Sequence, residues 1–154
     1  MAANRIKIAK DKAELVKALV ASNEKTAPFQ TYVEVMTFAA ALGAKHKKRV
    51  PLMEFTKNLD PIRRDYFASD SCEFTINLLA FAESQDHKIL ADDEISDGQR
   101  INIFEEYANG GLEILENELR GAVDYSERLL LILSSHRFNQ QQKEEDFDLS
   151  KFLS

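Results

Sequence analysis

Along most of this chain apolar residues recur at intervals of three and four, the spacing that gathers them on one side of an α-helix. From about Asp11, Leu15, Val16, Leu19 and Val20 follow that spacing, and Asp11 with Glu14 makes a capping-box pair. A second helix is predicted from near Pro28, over Phe29 to Leu42, with Gly43 as its stop. Its later half, Val35 to Leu42, is apolar nearly all round, as suits a helix in the middle of a domain. Leu52, Phe55 and Leu59 hint at a short helix. Asp60-Pro61 then opens another, with Ile62, Tyr66 and Phe67 inward and Arg63-Arg64 more outward. Asp70 and Glu73 start a further helix through Phe74, Leu78, Leu79 and Ala82, and Gln85 to Ile95 reads as an acidic loop.

Ser96 and Gln99 form the best capping box in the chain. Behind it Ile101, Phe104, Ala108, Leu112, Leu115 and Leu119 keep helical phase across Asn109-Gly110-Gly111. Two glycines inside a helix cost about 1 kcal/mol each relative to Ala. Either the helix breaks there or another backbone comes too close for side chains; the unbroken phase favours one long helix. Asp124 and Glu127 start a last helix containing Leu129 to Leu133. The alternation Arg5-Ile6-Lys7-Ile8 suggests a short N-terminal strand. The expected fold is all-α, one multi-helix domain of about six helices over residues 1–138, with Phe38, Ala40, Leu78, Phe104 and Leu115 buried together. From 139 the Gln/Glu-rich composition reads as a partly disordered acidic tail, 139–154.

With 154 residues, 44% of them hydrophobic, the chain has material for a real core, and no apolar run approaches the length of a membrane span. A single cysteine, Cys72, excludes an internal disulfide, and Met1 to Lys7 lacks an apolar signal core, so a cytoplasmic location is expected. The net charge of −6 hides an asymmetry. Residues 1–67 carry 13 Lys+Arg against 7 Asp+Glu, and residues 68–154 carry 7 against 19. Such a surface either steers an anionic partner to one side or neutralises itself across the fold.

Catalytic signatures are missing: no Gly-rich phosphate loop, no G-x-S-x-G and no H-E-x-x-H. The expectation is no enzyme, no cofactor and no metal. Asp92-Asp93-Glu94, Glu105-Glu106 and Glu113 with Glu116 read as solvated acidic faces, and His46, His87 and His136 share no pattern. Cys72 reads as a small buried hydrophobe. Lys45, Lys47, Lys48 and Arg49, with Arg63 and Arg64, place six cations within twenty residues. They form either a phosphate-contacting patch or an ordinary solvated loop. In the tail, Phe147, Leu149, Phe152 and Leu153 are candidate partner-binding anchors; in a helix the last three fall at i, i+3, i+4. The alternative is that the tail packs as a final helix of the domain.

Three blocks resemble the family called DNA phosphorothioation-associated protein 4, or Dnd system-associated protein 4. They are Glu34 to Gly43, Asp60 to Arg64, and Ile103 to Leu115, the last containing the specific run Glu-Glu-Tyr-Ala-Asn-Gly-Gly-Leu. The similarity covers roughly residues 5–135. It implies a place beside bacterial systems that put sulfur into the DNA backbone and whose restriction partners attack unmodified DNA. No catalytic residue is carried over by it. The expected role is an accessory protein of phage defence that binds other proteins of such a system; the alternative is a DNA-contacting regulator using Lys45 to Arg64. The blocks themselves look structural, with Ala39 and Ala40 crossing Gly110 and Gly111, small face to small face.

Overall fold

The computed structural model describes residues 4–23, 25–54, 59–135 and 137–138. It is predominantly α-helical, with a single two-stranded ribbon among the described residues. The ribbon pairs β1 (Arg5–Ile6) with β2 (Ile62–Arg63) antiparallel, setting Arg5 opposite Arg63 and Ile6 opposite Ile62. The helices are α1 (Ala13–Leu19), α2 (Tyr32–Lys45), α3 (Asp70–Ser84), α4 (Glu94–Leu119) and α5 (125–135). Short 3-10 turns stand at Lys10–Lys12, Arg64–Phe67 and His87–Leu90. The chain divides into two compact units, Met1–Glu118 and Leu119–Ser154.

The first unit is built around α4. Its apolar phase survives the two glycines, so Ile101, Phe104, Ala108, Leu112 and Leu115 present one continuous buried stripe. Buried along with it are Ile6 and Ile8 from the N-terminal segment, Val16 and Leu19 of α1, Val35, Met36, Ala39 and Ala40 of α2, and Phe67. Phe67 meets Phe104 edge to face, ring centroids 5.5 Å apart. Of the residues expected to be buried together, Ala40, Phe104 and Leu115 are buried, Phe38 is half-buried, and Leu78 is 51% exposed. Leu78 misses the core because α3 turns Cys72, Ile76 and Ala80 inward.

Several element boundaries differ from the sequence reading, each for a local reason. Asp11 caps nothing: α1 begins at Ala13 after a 3-10 turn, and Glu14 pairs with Lys17 instead. α2 starts at Tyr32 because the Thr31 hydroxyl accepts the Glu34 N–H while the Glu34 carboxylate accepts that of Gln30. It does not stop at Gly43 but runs to Lys45, and Lys47 takes the left-handed conformation (φ 53°) that ends it. Asp60-Pro61 leads into β2 and a 3-10 turn rather than a helix; Ile62 and Phe67 are buried but Tyr66 is exposed. The cap of α4 is Asp93, whose carboxylate accepts both the N–H and the hydroxyl of Ser96. Phe55 and the tail from 139, with Phe147, Leu149, Phe152 and Leu153, lie outside the described residues.

In the second unit Asp124 accepts the Glu127 N–H at the start of α5. Leu129 is buried, while Leu130, Leu131 and Leu133 are exposed.

Candidate functional site

The six cations of the basic segment do not form one patch. Arg49 donates to Glu83 and Glu106, each at 2.7 Å, with its guanidinium 6.0 Å from the Tyr107 ring centroid. Arg64 makes a two-pronged bond to Glu73, both prongs at 2.7 Å, and reaches Asp97 at 3.2 Å. Lys48 pairs with Glu113 and Arg63 with Asp65. Lys45 and Lys47 are exposed at the end of α2. The positions of Glu73 and Glu83 on α3 put the Arg49 and Arg64 bridges about 15 Å apart.

These two bridges also set the course of the helices. Glu73 and Asp97 stand near the starts of α3 and α4 and share Arg64, whereas Glu83 and Glu106 lie farther along both and share Arg49. The Tyr107 hydroxyl also donates to Glu83. Hence α3 and α4 run in the same direction, and residues 85–93 return between them. Ile89 packs there with Ala80 and Ile103, held by Arg100, which donates to the carbonyls of Ile89 and Ala91.

At the α2–α4 crossing backbone meets backbone. A Cβ on Gly111 would stand 2.5 Å from the carbonyl carbon of Ala39, and one on Gly110 would stand 2.7 Å from that of Lys48. Gly43 takes part as well, its absent Cβ falling 2.9 Å from the Gly111 nitrogen. The sequence reading missed Gly43 as a contact residue because a glycine followed by cations also resembles a helix stop.

One apolar face is left uncovered. On α3, Phe74, Leu78 and Phe81 follow at i, i+4, i+7 and are 64%, 51% and 41% exposed. Three large side chains in a row on one helix make a contiguous patch, unlike scattered surface hydrophobics. Elsewhere, a groove of about 950 Å³ opens beside the ribbon, bounded by Arg5, Arg63, Tyr32, Tyr66 and the first turns of α2 and α3.

Two carboxyls show opposite electrostatics. Burial pushes Glu105 up to about 7, against the Lys7 backbone N–H that bonds its charged form. Burial also pushes Asp97 upward, but the Asn4 bond and the charges of Arg64 and Arg100 prevail and hold it below the ordinary value. Among the described residues no group of three or more His, Cys, Asp or Glu could hold a metal ion, and no helix is long and apolar enough to cross a membrane.

This architecture defines a small, predominantly α-helical protein. The chain belongs to the DNA sulphur modification system-associated protein 4 family, whose model matches residues 5–152. Neither a curated protein nor a solved structure matches it. The family match continues through the tail to Phe152, beyond the stretch that the three sequence blocks covered.

Proposed function

We propose that this protein is a non-catalytic, cytoplasmic accessory component of a DNA sulphur modification system in phage defence, acting by binding another protein of that system. The uncovered stripe Phe74-Leu78-Phe81 carries the reading. Spaced at i, i+4, i+7, it offers an apolar helix or groove of the partner a row of anchors. The family supplies the partner's source, since its members are associated with the modification system. The tail anchors Phe147, Leu149, Phe152 and Leu153 are a second element of the same docking, supported by the family match extending to residue 152.

The alternative, DNA contact through Lys45 to Arg64, draws less support. Lys48, Arg49, Arg63 and Arg64 already face carboxylates of the chain itself, so phosphate would have to displace them.

Co-expression with the modification and restriction proteins of the system, followed by affinity capture, tests the proposal. Phe74→Glu with Leu78→Glu should abolish capture of the partner while leaving helical content and melting temperature unchanged. Capture that survives this double change rules out the α3 stripe as the docking surface.

A further inference from the structure

The ribbon contains an arrangement that works against its own stability. Arg5 and Arg63 are direct cross-strand partners, both exposed, and like charges in that position repel. Both arginines line the groove of about 950 Å³. Its floor is apolar, with Ile8, Ile62 and Val33, and its rim carries the exposed rings of Tyr32 and Tyr66. The Arg63 guanidinium lies over the Tyr66 ring, 5.4 Å from its centroid, so cation and ring stand together at the groove edge.

We propose that this groove binds a mononucleotide, its base stacked on Tyr66 and its phosphate held between Arg5 and Arg63. The anion relieves the cross-strand repulsion. Guanidinium forks suit phosphate oxygens, and what the arginines hold at present is readily exchanged. The Arg63–Asp65 pair is 56% and 60% exposed, a setting where ion pairs contribute little, and Arg5 donates to the Pro61 carbonyl at a long 3.4 Å. Ser69 precedes α3 without a side-chain bond to its first turn, and Ser69, Ser71 and Cys72 line the same groove.

Two carboxylates bound what can enter. Glu34 is committed to the Gln30 N–H, and Asp60 is exposed on the lining as an acceptor for sugar hydroxyls. With two acids on the lining and Asp65 paired to Arg63, the groove accepts one phosphate rather than a run of them, which favours a mononucleotide over a nucleic-acid strand. The size points the same way: a groove this large exceeds what a lone anion needs and suits a base, sugar and phosphate together. This site is independent of the α3 stripe and does not rest on the partner-binding role.

Calorimetric titration of the full chain with AMP, GMP, CMP and UMP tests the proposal, with adenosine and inorganic phosphate as comparison arms. At least one nucleotide should bind saturably, and adenosine and phosphate should bind about tenfold more weakly or worse. Tyr66→Ala and Arg63→Ala, both at exposed positions, should each weaken the nucleotide by about tenfold, as the loss of a stacking platform or a phosphate fork does. Circular dichroism of each variant checks that the fold is kept. No nucleotide binding at millimolar concentration overturns the proposal. So does binding that both substitutions leave intact, or adenosine binding as tightly as AMP.

Discussion

Gly43 of α2 and Gly111 of α4 meet with no side chain between them, the site of a Cβ on Gly43 lying 2.9 Å from the Gly111 nitrogen. The helices are therefore spaced by backbone atoms, which cannot shift rotamer to make room.

Gly111→Ala should thus destabilise the protein by about 1–3 kcal/mol, although alanine is the better helix former. Gly98, on the same helix with nothing within 4 Å of its Cβ site, gives the internal comparison. Gly98→Ala should raise stability by about 0.5–1 kcal/mol. Urea midpoints of the two variants check the pair; equal signs would contradict the backbone contact.

The Glu105 carboxyl predicts a dependence on pH. Its folded value of about 7 lies above the ordinary 4.5, so between those values the folded state holds a proton that the unfolded state has lost. Stability should fall across that window by up to about 3 kcal/mol and then level off. Glu105→Gln keeps an acceptor for the Lys7 N–H and removes the titration. The variant should be the more stable protein above about pH 7. Melting curves from pH 5 to pH 8 for the two proteins, about three units of span, read the effect directly.

Charge reversal in the basic segment should separate into two behaviours. Arg49→Glu would set a third carboxylate beside Glu83 and Glu106 and should cost about 1–3 kcal/mol, read as a lower urea midpoint. Lys47→Glu should leave stability within about 0.5 kcal/mol, since the side chain is exposed. Lys47→Glu is therefore the clean test of DNA contact in a gel shift over a salt series, because loss of binding there cannot come from unfolding.

Lys47 itself holds a left-handed backbone at the end of α2. A residue with a Cβ pays about 1 kcal/mol there, so Lys47→Gly should raise the melting temperature. A fall would mean that the lysine side chain contributes contacts of its own.

The long helix α4 was legible because its apolar phase runs unbroken past Gly110, and phase is a property of sequence alone. The inward face of α3 was not. Cys72, Ile76 and Ala80 alternate with Phe74, Leu78 and Phe81 along one helix, so both faces are apolar and periodicity cannot choose between them. Packing against Ile103 decided it, and the larger side chains were left outside. The start of α2 was written in Thr31 and Glu34, but Pro28 offered a competing start three residues earlier. The basic cluster reads as continuous because some of its neutralising partners are distant in sequence: Glu106 lies 57 residues from Arg49 and Asp97 lies 33 from Arg64, although Glu73 and Asp65 are near Arg64 and Arg63. For the same reason the groove left no linear signature, its two arginines being neighbours only across the ribbon.

The path of the N-terminal segment has a consequence for the order of folding. Lys7 bonds Glu105 and Asn4 bonds Asp97, contacts that span 98 and 93 residues of chain. During synthesis the segment is made well before α4, yet the Asp97 and Glu105 it bonds sit on that helix, the last element to begin in its unit. Until α4 emerges, the bonds of Lys7 to Glu105 and of Asn4 to Asp97 cannot form, so this part of the segment's docking waits for the last helix of its unit. The ribbon and the groove beside it draw on residues no later than Cys72, so they can be assembled before that last docking onto α4 takes place.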